Sequence, residues 1–136
     1  MRRLAIALLF AACTSEPDSV VEVGYVEYVG EPAVIEAPSS ATTGVPLLVN
    51  VRTYGGGCVE LESTAVTVTG DGVDITPYDR RQTGENQACI LILKYLAHEA
   101  SVVFDMPGTK TLRIQGRRWH RDGDELVEHS RTIAVH

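Results

Sequence analysis

TKTLRIQGRRWHRDGDELVEHSRTIAV, residues 109–135, is the stretch whose reading decides the fold. Residues 109–121 run out with Leu112 and Ile114 on one face, Asp122-Gly123 turns, and residues 124–135 return. Asp-Gly between two alternating segments is the strongest short-range signal for a β-hairpin, because both residues adopt the positive φ angles of a tight turn. A two-residue turn there would set position 120 opposite 125, 118 opposite 127 and 116 opposite 129.

Working towards the N-terminus, Asp105-Met106-Pro107-Gly108 reads as a turn and residues 99–104 as a strand. Residues 89–93, Cys-Ile-Leu-Ile-Leu, are continuously apolar, which suits a central strand covered on both sides; a helix over residues 90–99 is the competitor. Residues 78–87 are polar without an apolar period and read as a loop. Val73 and Ile75 alternate with Asp74 and Thr76, Val66 and Val68 with Thr67 and Thr69, and Gly70-Asp71-Gly72 joins them as a hairpin. Leu47, Val49 and Val51 alternate with Leu48, Asn50 and Arg52, the pattern of a half-buried strand that ends at Gly55-Gly56-Gly57. Residues 33–36 form a short strand before Pro38, and residues 20–29 mix Val, Tyr and Glu in a further candidate.

Seven to nine short strands with turns at near-regular spacing and no long helix predict an all-β fold: a two-sheet antiparallel sandwich with a long C-terminal hairpin. The run Phe104-Asp105-Met106-Pro107-Gly108-Thr109-Lys110-Thr111-Leu112-Arg113-Ile114 resembles the loop-to-strand entry of bacterial immunoglobulin-like domains, which implies an immunoglobulin-like sandwich over residues 20–136. Such a likeness is architectural and implies no activity.

At the other end, Met1-Arg2-Arg3, the apolar run Leu4 to Phe10 and the small residues Ala11 and Ala12 precede Cys13. This resembles a bacterial lipoprotein signal, in which the segment before the cysteine is removed and the cysteine carries the lipid. The resemblance implies a signal peptide at 1–12, lipidation with palmitate-type acyl chains at Cys13, a tether at 13–19, and a membrane as the first partner. An ordinary secretory signal is the competing reading. A membrane-spanning helix would need about twenty apolar residues, more than the run provides. Thr14 follows the cysteine, and in lipoproteins of enteric type a residue other than Asp there goes with the outer membrane.

The formal net charge is −6, and the segment before Cys13 holds two arginines and no acid, so the mature part is more acidic still. That balance argues against nucleic acid as a partner. One domain fits the length. Cys58 and Cys89 are the remaining cysteines, and in an exported chain an even pair reads as a disulfide; a free thiol pair or a two-cysteine metal site is the alternative.

No catalytic group, metal site or cofactor is expected. His98, His120, His129 and His136 lack the tight spacing of copper sites, and Asp71, Asp74 and Asp79 lack the acid pattern of calcium loops. No Gly-x-Ser-x-Gly or phosphate loop occurs. One pattern points to binding. Arg113, Gln115, Arg117, Trp119 and Arg121 are spaced two apart on one strand face, while the other face turns polar after Ile114. The ribbon from about residue 115 to 130 is therefore expected to stand off the core. On it Arg113, Arg117, Trp119 and Arg121 would offer a basic, aromatic surface to an acidic protein or a polysaccharide. The expected function is a non-catalytic, lipid-anchored interaction module of the cell envelope. A small envelope enzyme or metal protein and a structural subunit of an envelope assembly are the alternatives.

Overall fold

Every regular element in the computed structural model, which describes residues 18–136, is a β-strand. The expected signal, Cys13 and the tether as far as residue 17 lie outside the described residues. The strands are β1 (Ser19–Val23), β2 (Tyr25–Glu27), β3 (Ile35–Glu36), β4 (Ser40–Ala41), β5 (Leu47–Gly55), β6 (Val59–Val68), β7 (Gly72–Gln82), β8 (Lys94–Val102), β9 (Gly108–Arg118) and β10 (Glu125–Val135). Period-two alternation drives them: Leu47, Val49 and Val51 point inward from β5, Val73 and Ile75 from β7, Leu112 and Ile114 from β9, Ile133 and Val135 from β10. These join Val26, Ile35, Ala100, Val102 and Phe104 in one core cluster. Burying each large apolar side chain stabilises by about 1.5–3 kcal/mol.

The ten strands form one hydrogen-bonded mixed sheet, in the order β1-β7-β9-β2-β5-β3, with β6 on β7, β8 on β5, β10 on β9 and β4 on β10. The all-β class therefore stands, but a purely antiparallel arrangement does not. β7 and β9 pair in parallel, as do β2 with β9 and β4 with β10. The β7–β9 pairing follows from connectivity. Residues 83–107 leave β7, place β8 on β5, and return to start β9 in the same direction as β7. Gly72 permits that approach, since a Cβ there would lie 1.9 Å from the Thr111 carbonyl oxygen. Its φ is not positive, contrary to the turn chemistry expected of Gly70 and Gly72; the left-handed glycines are Gly30, Gly44, Gly108 and Gly123.

Four sequence expectations change. Residues 78–82 continue β7 rather than forming a loop, because the inward positions are Pro77 and Asp79, and a buried carboxylate hides the apolar period. β6 begins at Val59, ahead of the alternation that starts at Val66. Residues 89–93 are neither strand nor helix but an irregular exposed segment, with β8 starting only at Lys94. In the C-terminal hairpin Arg118 faces Glu125 and Gly116 faces Val127, so the connection spans 119–124 and the register differs by two from that of an Asp122-Gly123 two-residue turn.

Candidate functional site

The end of the hairpin does not stand clear of the core. β1 runs down β7 from Ser19 opposite Gln82 to Val23 opposite Tyr78. The chain then turns at Gly24, whose N–H donates to the Pro77 carbonyl over 2.9 Å, and β2 rises beside β9. Two further bonds fasten it: Arg117 N–H to the Gly24 carbonyl, 2.9 Å, and Trp119 N–H to the Glu27 carbonyl, 3.0 Å. Gly116 is the bare spot that admits β2, because a Cβ there would lie 2.4 Å from a Val26 methyl. The sequence pattern that turned polar after Ile114 thus marks where β2 covers the ribbon, not where the ribbon leaves the fold.

The arginines are spent largely within the domain. Arg113 pairs with Asp74 at 2.5 Å and Asp71 at 3.3 Å. Arg117 pairs with Glu22 at 2.7 Å and Asp124 at 3.3 Å, and donates to the Val23 carbonyl. Its guanidinium also lies 4.0 Å from the Tyr25 ring centre. Neighbouring Arg118 holds Glu27 and Glu125. Arg121 is exposed, and no ion pair of the described residues includes it. Of the four residues expected to share a binding face, Trp119 and Arg121 remain available, whereas Arg113 and Arg117 act as staples.

These pairs set the electrostatics of the N-terminal strand. Burial raises the Glu22 carboxyl, but hydrogen bonds and charge from Arg81 and Arg117 outweigh it and hold the group below 4.5. The Arg118 hydrogen bond, against a smaller desolvation, lowers Glu27 likewise. Burial first, and then the hydrogen bond it donates to Asp124, push the Tyr25 hydroxyl up to about 12. For carboxyls lowered in the fold, the stabilisation is fully present above the unfolded value near 4.5 and is lost as pH falls through the lowered folded-state values. Acidification below 4.5 should therefore loosen β1–β2 before the β7–β9–β10 region. The expected result is a red shift of Trp119 emission while amide protection in β9 persists; simultaneous loss of both would contradict it.

Around Trp119 the surface becomes aromatic and apolar. Its ring centre lies 5.8 Å from that of Tyr28, which lies 5.4 Å from Tyr25. Two clefts meet at the Tyr28–Trp119 pair. The first, of about 600 Å³, runs from these rings past Gly55–Gly57 to the Cys58–Cys89 disulfide and the segment Ile90, Leu91, Ile92 and Leu93. That segment is held outward, with exposures of 65%, 103%, 48% and 41%. The second cleft, of about 660 Å³, lies on the other side of Trp119 and is lined by Arg118, His120, Arg121 and the turn Val29-Gly30-Glu31. Tyr28 and Glu31 exchange backbone hydrogen bonds of 3.1 and 2.7 Å across that turn, which forces Val29 to φ 41° and Gly30 to 84°. A β-branched residue in the left-handed region is strained. Val29 thus holds the rim of this cleft at a local cost.

One buried arrangement has the outline of a nucleophile–base–acid line. The Thr64 hydroxyl is 3.0 Å from His98 Nδ1, and His98 Nε2 is 2.8 Å from Asp79 Oδ1. His98 is fully enclosed and Asp79 nearly so. Thr64 at its outer end is part-buried, and the line ties β6, β7 and β8 together.

The disulfide joins Cys58 and Cys89 as expected. The exposed apolar segment and the two tyrosines were not anticipated as a surface. No local signal set the segment apart, because a four-residue apolar run without alternation reads equally as a covered strand. The chain matches no protein family, no curated protein and no solved structure.

Proposed function

We propose that this chain is a non-catalytic, lipid-anchored interaction module of a bacterial cell envelope, exported, held by Cys13, and binding a polysaccharide partner at the Trp119 end. The observation that carries this reading is the Tyr28–Trp119 pair, which leaves two large aromatic rings half-exposed between two clefts. Large aromatic and apolar surface left in water marks interaction sites, and flat rings beside hydrogen-bonding groups suit sugar faces. In the second cleft Arg121, His120 and Glu31 supply those groups. Two features support a pair of layers, although the parallel β7–β9 pairing departs from the immunoglobulin-like pattern. Tyr25–Tyr54 is the one residue pair joining β2 to β5, while buried side chains of β5 and β8 share a cluster with those of β7, β9 and β10.

The test is retention of the full chain on insoluble envelope glycan. Trp119→Ala should abolish retention with little change in thermal stability. Added salt should weaken it only modestly, because most of the arginines are already paired. Unchanged retention in Trp119→Ala, or an indole emission typical of a buried ring and resistant to iodide, would remove the reading.

A further inference from the structure

We infer that the segment Ile90–Leu93 is a lipid-docking surface that seats the Cys58–Cys89 side of the domain on the bilayer and leaves the second cleft, across Trp119, to the glycan; the inference rests on the Cys13 anchor proposed above. Four consecutive large apolar side chains point into water, and the fold holds them there. The Cys58–Cys89 bond fixes one end of the segment. Gly57 presses against Ile90, since a Cβ on Gly57 would lie 2.5 Å from the Ile90 side chain. Lys94 closes the other end by donating to the Gly57 carbonyl over 3.3 Å. A segment pinned this way cannot fold back over the core to hide its side chains.

The occupant follows from where the chain enters the fold. The Asp18 carbonyl accepts from the Thr83 N–H at 2.8 Å, Ser19 lies opposite Gln82, and the Gln82 N–H donates to the Cys58 carbonyl at 3.0 Å. The N-terminal strand therefore starts beside the disulfide that presents Ile90–Leu93. Asp18 lies five positions after Cys13, so an acylated Cys13 lies within about 17 Å of it at full extension. Anchored so closely, the domain must keep this end near the headgroups. The apolar faces of interfacial helices sit about 5–10 Å into the boundary between headgroups and acyl chains, and burial of exposed apolar side chains draws a loop to the same boundary. The net negative charge of the chain speaks for zwitterionic rather than anionic lipid.

The experiment uses the full chain purified from bacterial membranes and reconstituted in phosphatidylcholine vesicles, as Leu91→Trp in a Trp119→Phe background. The expected result is an emission blue-shifted from that in water and quenched by lipids brominated on their acyl chains. Adding Ile92→Asp and Leu93→Asp should remove both the shift and the quenching with an unchanged circular dichroism spectrum, since these side chains are exposed. An anchored chain whose indole is quenched by iodide but not by bromolipid overturns the inference. So does an indole already shielded before lipid is added, whether by a second copy or by residues 4–12 of the same chain. Mass analysis of the Cys13 peptide from the same sample keeps the two readings apart. An unmodified Cys13 sinks the anchor, while bromolipid quenching of that unmodified chain still supports docking.

Discussion

Replacing Asp79 with alanine is expected to destabilise the protein by about 3 kcal/mol, although nothing on the surface changes. Asp79 is the sole side-chain partner of His98 Nε2, at 2.8 Å, and both side chains are withdrawn from water. Removing the carboxylate strands a buried ring nitrogen and opens space beside Gly24, where an added Cβ would lie 2.6 Å from Asp79 Oδ2. Breaking one side of a buried polar pair costs far more than replacing both by apolar groups of similar size. The double variant Asp79→Leu with His98→Leu should accordingly regain most of the loss. Urea unfolding of the two variants decides the matter. A loss below about 1 kcal/mol for Asp79→Ala would mean that the network is incidental.

The second large effect belongs to the disulfide. Cys58 and Cys89 are separated by 31 residues. Their bond constrains a loop whose closure in the unfolded chain is worth about 3–4 kcal/mol in the chain-entropy treatment. The loop contains β6 and β7, so the penalty falls on the core, and the same bond presents Ile90–Leu93. Cys58→Ser with Cys89→Ser should lower the midpoint of thermal unfolding by roughly ten degrees, from the usual relation between stability and midpoint at this chain length. An unreduced wild-type chain that melts together with the double variant would contradict this.

Much of the strand pattern could be read from residues alone because its inward positions are aliphatic and alternate: Leu47, Val49 and Val51, Val73 and Ile75, Leu112 and Ile114 all occupy the core. The same rule fails where the fold buries something polar. Asp79 and His98 sit at inward positions of β7 and β8, so polar residues 78–82 read as a loop and β8 reads five residues short. It fails in the opposite sense at Ile90–Leu93, where an apolar run meets water and neither composition nor period distinguishes it from a buried strand. The parallel pairing of β7 with β9 depends on a long crossover whose destination no local pattern encodes.

Of the residues expected to form a binding face, Arg113 and Arg117 lie on β9 and Trp119 just beyond it. What spacing could not supply was the identity of their neighbours. Glu22 on β1 and Glu27 on β2 come from some ninety residues earlier and neutralise Arg117 and Arg118. Tyr28 directly follows β2, so the ring that pairs with Trp119 is visible only once the register of β2 against β9 is known.

The anchor is the claim on which the functional account turns, and fractionation of Cys13→Ala tests it most directly. Membrane and soluble fractions of a bacterium producing the full chain are separated and probed for the protein. The wild-type chain is expected in the membrane fraction, because several acyl chains together give stable attachment where a single chain gives marginal, reversible binding. Cys13→Ala is expected to move to the soluble fraction, since the docking segment without its lipid holds the domain only weakly. A Cys13→Ala chain that stays with the membrane as completely as the wild type would contradict the account.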